Sequence, residues 1–167
     1  MKIKPFYKID DFELYQGDSL ELLKSFDDSS VDMIFSDPPY FLSNDGMTCK
    51  SGKFVSVNKG KWDKKNSYDE IESFNNIWLF ECQRILKDNG SIWISGTHHN
   101  IYSIGNSLHK LNFKILNVIT WEKPNPPPNL SCRFFSHSTE QIIWSSKNKN
   151  SKHTFNYQLM KELNDFN

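Results

Sequence analysis

The apolar positions fall into short blocks whose spacing alternates between strand and helix. Val31-Asp32-Met33-Ile34-Phe35-Ser36 is a compact, largely apolar run closed by Asp37-Pro38-Pro39-Tyr40. It predicts a buried strand ending at a rigid turn, because proline fixes φ and offers no backbone donor. Upstream, Leu20, Leu22, Leu23 and Phe26 follow Gly17-Asp18-Ser19, and Asp18 with Glu21 has capping-box spacing. A short amphipathic helix is expected there, ended by Asp27-Asp28-Ser29-Ser30. Over 70–87, Ile71, Phe74, Ile77, Trp78, Cys82, Ile85 and Leu86 recur at helical spacing, and Gly90 reads as the C-terminal stop. Residues 91–95 read as a second buried strand, 101–111 as a helix, 113–121 and 140–145 as strands, and 157–163 as a short helix.

Strand, helix and strand in alternation predict an α/β fold, a partial doubly wound and mostly parallel sheet with right-handed crossovers. Ligands collect at the carboxyl ends of such strands, and the Asp37–Tyr40 turn occupies one of those ends. Two connections stand apart. Residues 41–67 are rich in Ser, Asn, Gly and Lys with little periodicity, a length that marks a mobile functional loop. Lys123-Pro124-Asn125-Pro126-Pro127-Pro128-Asn129 is a stiff loop, since consecutive prolines impose an extended backbone.

Composition narrows the class. An aromatic content of 14%, with five Trp and thirteen Phe, argues for a packed core in a chain of one-domain length, 167 residues. No apolar run approaches membrane-spanning length and Met1–Pro5 lacks a secretory apolar region, so a cytoplasmic protein is expected. Cys49, Cys82 and Cys132 are too far apart for a zinc knuckle and read as reduced thiols. His98, His99, His109, His137 and His153 lack metal-ligand spacing and read as surface or polar-network residues. The formal net charge is zero, yet the chain is acid-rich before Tyr40 and then crowds Lys50, Lys53, Lys59, Lys61, Lys64 and Lys65 together. That run, and a second at Lys147, Lys149 and Lys152, are candidate phosphate contacts, the first favoured by its place beside the turn.

The turn supports a definite chemistry. The lone pair of an exocyclic amine on adenine is delocalised into the ring, and two acceptors on its hydrogens would localise that pair on nitrogen. The Asp37 carboxylate and a backbone carbonyl of the turn can be those acceptors, with Pro38 and Pro39 holding the carbonyl rigidly. Tyr40 can stack on a base swung out of a duplex. The competing reading is a strand-ending turn in which Asp37 only caps a backbone amide.

These residues resemble the amino-methyltransferases of DNA, whose Asp-Pro-Pro-Tyr form accompanies adenine-N6 methylation. The resemblance implies a class I, Rossmann-like fold and S-adenosyl-L-methionine as cofactor. Gly17-Asp18 resembles the family's short acidic motif, which implies that Asp18 contacts the adenosine part of the cofactor, with Asp37 also bordering it. Trp62-Asp63 resembles the segment that closes the mobile loop. Arg84–Lys87 with Gly90–Ile94 is similar to the helix-turn-strand after the catalytic turn. Ile119–Lys123 with Asn125 and Pro126 resembles the last motif of the catalytic half; Asn125 and Pro126 are expected to line a flipped-base pocket, and Trp121 either to join them or to pack in the core.

Motif order resembles the β arrangement, so residues 1–146 are expected to be the catalytic half and 147–167 the start of a target-recognition region. Tyr40–Asn44, Val55–Gly60 and Asn129–Arg133 most resemble enzymes that modify GATC on single strands beside DpnII-like restriction systems. DNA is the implied partner, with Ser56, Asn58, Lys59, Lys61, Trp62, Lys123, Asn125, Pro126 and Arg133 as its candidate contacts. The family's Asp-Pro-Phe-x-Gly-x-Gly-Thr stretch has no counterpart, because Gly46, Gly52 and Gly60 are too spread and Gly96 with Gly105 lacks the spacing. Two readings follow: an enzyme completed by a second chain, or an inert remnant, the latter favoured for the isolated chain. A cytosine-N4, glutamine or RNA amino-methyltransferase, or a plain nucleic-acid-binding module, fits Asp37 and its strand less well.

Overall fold

The computed structural model describes residues 3–43, 47–50 (48–50 as backbone), 52–64, 67–129 and 131–163. A hairpin absent from the predicted elements comes first, β1 (Tyr7–Ile9) against β2 (Phe12–Leu14), turning at Asp10 with φ 46°. Asp18 then caps α1 (Ser19–Lys24), its carboxylate accepting from the amides of Leu20 at 2.8 Å and Glu21 at 3.4 Å. The predicted first helix is therefore present, and its leucines Leu20 and Leu23 pack on the main core.

The predicted strand β3 (Val31–Ser36) forms as read, but it is not buried on both faces. It lies at the edge of a sheet ordered β3-β6-β8-β7, and Met33 and Phe35 are 60% and 61% exposed. Ile34 faces the core, as the two-residue alternation of a strand requires.

Residues 41–67 are not structureless: β4 (Met47–Lys50) and β5 (Lys53–Ser56) pair as an antiparallel hairpin, followed by a 3₁₀ turn at Lys61–Asp63. Asn44, Gly46 and Lys65, named above, lie outside the described residues. Helix α2 (Tyr68–Ile85) starts at Ser67, whose hydroxyl accepts from the Glu70 amide at 3.2 Å. Gly90 does not stop this helix. Leu86 already has extended backbone, φ −64° and ψ 135°, and β6 runs Leu86–Gly96. The pairing with β3 jumps from Val31↔Leu86 to Met33↔Ser91, so 87–90 bulge out. A Cβ on Gly90 would stand 2.9 Å from the Asp32 carbonyl, so glycine serves close backbone approach at the bulge.

After α3 (Ile101–Lys110), strands β7 (Lys114–Glu122) and β8 (Thr139–Ser146) complete the sheet, and α4 (Tyr157–Leu163) is exposed throughout. β3 pairs parallel with β6, while β8 runs antiparallel to both β6 and β7. β3, β6 and β7 thus share one direction. The sheet is mixed because the proline-rich link from β7 to β8 contains no crossover helix, which a parallel return would need.

Helices α2 and α3 cover one face, where Trp78, Leu79, Cys82, Leu86, Ile92, Ile94, Ile104, Leu108 and Ile143 interlock. Trp93 and Trp144 stack at 4.8 Å on the other face, and Phe155 lies 5.6 Å from Trp144. Lys147, read above as a phosphate contact, is instead consumed internally: it donates to the Leu86 carbonyl at 2.6 Å and the Ser29 hydroxyl at 3.1 Å. Leu79 has no exposed surface. Leu79→Ala should lower unfolding free energy by about 2–5 kcal/mol in urea titration; an unchanged midpoint would show that α2 does not pack as described.

Candidate active site

The pairing Ser36↔Ile94 ends β3 and β6 side by side, which sets Asp37 against Ser95. The Ser95 hydroxyl donates to Asp37 Oδ1 at 2.6 Å, and the Tyr40 hydroxyl donates to the same oxygen at 2.7 Å. Oδ2 accepts no hydrogen bond among the described residues. Two donors on one oxygen orient the carboxylate, and the other oxygen is left to a substrate.

Asn100, 1% exposed, holds the rest of the turn, its side-chain amide donating to the Pro39 carbonyl at 3.2 Å while its oxygen accepts from the Thr97 amide at 3.0 Å. A Cβ on Gly96 would stand 2.7 Å from that Asn100 oxygen, so the side chain nests where only glycine leaves room. The Pro38 carbonyl accepts nothing among the described residues. The turn therefore presents one free carboxylate oxygen and one free carbonyl, held by proline rings.

Glu140, in β8, brings a second acid to this end. Its Oε2 lies 3.5 Å from the Tyr40 hydroxyl, and Oε1 forms an ion pair with Lys123. Burial raises the Tyr40 phenol well above its ordinary value; the hydrogen bond to Asp37 and the negative charges of Asp37 and Glu140 also raise it, against an opposing hydrogen bond with Ser95. The phenol is a neutral donor throughout the working pH range.

Among the candidate DNA contacts, only Lys59 meets the turn directly, its ammonium 5.4 Å from the Tyr40 ring centroid. Ser56, Asn58, Lys61 and Trp62 are exposed on the same loop. Lys123 sits at the neck of the proline-rich loop, its amide donating to the Ser138 carbonyl at 2.7 Å. Asn125 and Arg133 are exposed and Pro126 half-buried, and no hydrogen bond joins them to the turn among the described residues. Leu130 lies outside the described residues. Trp121 is 54% exposed, which removes the core-packing reading. Asp18 makes no hydrogen bond to the turn among the described residues; its carboxylate caps α1.

Ser95, Asn100 and Glu140 were not among the residues singled out from the sequence, and Asp63 was named only with Trp62, through the resemblance at the end of the loop. For Ser95 a signal existed: a hydroxyl ends an apolar strand paired beside the turn. The others depend on chain crossings that spacing does not encode.

Three histidines gather beside the site. His98 stacks on His137 with centroids 4.1 Å apart and lies 3.9 Å from His99, and Phe134 approaches His137 at 5.6 Å. The cluster ties the β6–α3 turn to the proline-rich loop. Burial first, then the neighbouring imidazoles, lower the His98 pKa; burial and His137 lower that of His99.

The fold is that of solved DNA methyltransferases. PvuII DNA methyltransferase, cytosine-N4-specific, superposes with TM-score 0.62 at 19% identity, covering 87% of this chain and 52% of that one. The M1.HpyAVI complex with SAM gives 0.53 at 22% identity, over 84% and 56%. The chain belongs to the DNA methylase family, whose description matches residues 31–166. It is 57% identical over 166 residues to the type II methyltransferase M2.MboI of Moraxella bovis, covering 98% of this chain and 61% of that protein. To M2.DpnII of Streptococcus pneumoniae it is 53% identical, over 97% and 61%. The chain thus spans about three-fifths of the length of these relatives.

Because the folded His98 and His99 resist protonation, both are neutral in the folded and unfolded chain above the ordinary imidazole value of 6.5, and these two imidazoles add no pH dependence there. As pH falls below 6.5 the unfolded chain takes up protons first, so stability declines until pH passes the lowered folded values. NMR titration should give midpoints below 6.5 for both imidazoles, rising in His137→Ala. Midpoints unmoved by that substitution would contradict the stacked cluster.

Proposed function

We propose that this chain carries the methyl-transfer site of an S-adenosyl-L-methionine-dependent DNA adenine-N6 methyltransferase of a type II restriction-modification system, working in the cytoplasm. The observation that carries the reading is the Asp37 carboxylate, with Oδ1 committed to Ser95 and Tyr40 while Oδ2 and the Pro38 carbonyl of the same turn accept no hydrogen bond among the described residues. Two fixed acceptors match the two hydrogens of an exocyclic amine. Accepting both localises the nitrogen lone pair, and fixed acceptors need no reorganisation as charge develops.

Tyr40 supplies the stacking face for an extruded base and Lys59 a cation beside it. Lys61 and Trp62 on the same loop, with Asn125, Pro126 and Arg133 on the proline-rich one, extend the surface toward DNA. Contacts of this kind to phosphate position the duplex without reading sequence. GATC as target is implied by the resemblance at Tyr40–Asn44, Val55–Gly60 and Asn129–Arg133. The name of the relative M2.DpnII accords with the resemblance to DpnII-like systems.

Asp18 fits the adenosine end of the cofactor, since Oδ1 caps α1 and Oδ2 stays available to a hydroxyl donor. The cofactor supplies an electrophilic methyl group when bound. The glycine-rich backbone expected around its methionine end is not within these residues, and among the described residues β3 pairs on one side only, with Met33 and Phe35 on an exposed face. Those features favour a site completed by further protein, a second chain included, over activity of the 167 residues by themselves.

The test is transfer of labelled methyl to single- and double-stranded GATC oligonucleotides, with cytosine-only and RNA controls. The chain is assayed alone and mixed with the part of the Moraxella bovis relative that it does not match. Transfer to adenine is expected in the mixture, and Asp37→Ala should lower it about a hundredfold or more. Full activity in Asp37→Ala would sink the mechanism, and transfer to cytosine would reassign the base.

A further inference from the structure

Among the described residues, Asp63 is the only acidic side chain fully removed from solvent. A carboxylate so placed is costly unless donors surround it. Three do: the Phe41 amide donates to Oδ1 at 2.8 Å, and the Ser43 amide and hydroxyl donate to Oδ2 at 3.0 and 2.7 Å. All of them belong to the segment that leaves the catalytic turn.

Phe41 has φ 56°, a left-handed conformation that a bulky residue keeps only where its surroundings impose it. Its ring is 7% exposed and meets Phe74 of α2 edge-on at 5.9 Å, so the backbone is held at the amide and at the ring. Ser43 relays the hold further. Its hydroxyl accepts from the Lys59 amide at 2.8 Å, and the Lys59 ammonium stands 5.4 Å from the Tyr40 ring centroid. The loop is folded around Asp63 so that its far end returns over the ring at its near end.

Closure of a loop alone could be served by apolar packing without the desolvation cost of a charge. A carboxylate adds direction, because its two oxygens fix Phe41 and Ser43 separately. We propose that Asp63 is a positioning residue of the methyl-transfer site, setting Tyr40 through Phe41 and Lys59 through Ser43 so that an extruded base meets both in a fixed relation. This rests on the reading of Tyr40 as the base-stacking residue.

Asp63→Asn turns one acceptor oxygen into a donor facing donors. Ser43→Ala removes the relay yet leaves both backbone amides on Asp63, so it keeps the test alive where Asp63→Asn fails to fold. The first readout needs no activity: in chain labelled with ¹³C at lysine Cε, the ring current of Tyr40 shifts the Lys59 methylene, assigned by its loss in Lys59→Arg. That signal should fall back to the position of the other lysines in both variants. In the preparation that transfers methyl groups, kcat should drop roughly ten- to hundredfold with KM for the oligonucleotide changed far less. A Lys59 signal unmoved in both variants, or wild-type kcat in folded Asp63→Asn, overturns the proposal. Absence of transfer by the wild type in every preparation refutes the methyl-transfer reading, and the Lys59 resonance then decides the positioning proposal by itself.

Discussion

The parallel pairing of β3 with β6 governs where every other group of the site can stand. Ser36 opposite Ile94 brings Ser95 to the carboxylate of Asp37, and a hydrogen bond to a charged acceptor of this kind contributes about 1.5–3 kcal/mol. A slip of one residue would turn Ser95 to the wrong face and put an isoleucine in its place, since side chains alternate along a strand. The bulge at 87–90 makes the register possible. It absorbs the mismatch between the end of α2 and the ladder, and it closes only because Gly90 has no side chain to meet Asp32. Geometry at the reacting end of the sheet thus depends on a glycine at the other end.

Around the turn, the buried polar groups are paired. Ser95, Asn100, Asp63 and Ser43 each hold partners within hydrogen-bond distance. The buried side-chain atoms without a partner among the described residues, on Asn76, Ser107, Trp144 and Ser145, belong to α2, α3 and β8 and not to the turn. An unmade hydrogen bond costs about 1–3 kcal/mol, so a fully connected network leaves the turn one low-energy arrangement. It leaves two acceptors unengaged, Asp37 Oδ2 and the Pro38 carbonyl, on an exposed and a half-buried residue of the turn. Rigid surroundings and two open acceptors are what localisation of an amine lone pair requires.

Helix α3 and strands β7 and β8 are legible from periodicity to within a residue or two, and the Asp37–Tyr40 turn from its prolines. The end of α2 is not legible. Gly90 after a helical pattern imitates a C-terminal stop, while the helix actually ends at Ile85 because Leu86 is drawn into pairing with Val31. The β4–β5 hairpin escapes detection because its strands are only four residues each and, among the described residues, pair only with each other. Burial of β3 is misjudged for a similar reason: an apolar run shows that a strand is wanted inside a sheet, not what covers its second face. Asp63 is named beside Trp62 by the resemblance alone, and only the return of that loop onto Phe41 and Ser43 shows what its carboxylate holds.

The charges sort by partner. Lys87, Lys110 and Lys123 are taken up by Asp32, Glu72 and Glu140, and Lys147 by a carbonyl and a hydroxyl with Asp88 at 3.6 Å. Lys53, Lys59, Lys61 and Lys64 carry no ion pair among the described residues, and all lie on the loop that folds over Tyr40. A chain of zero net charge therefore presents a local positive surface on this loop. Exposed charges act over about a Debye length, roughly 8–10 Å at ordinary salt, so the field of these four lysines is confined to the neighbourhood of their loop. Asp63, an acid on the same loop, is spent on the amides of Phe41 and Ser43 and on the Ser43 hydroxyl. Burying that acid shapes the loop and at the same time removes its charge from the surface that the lysines present.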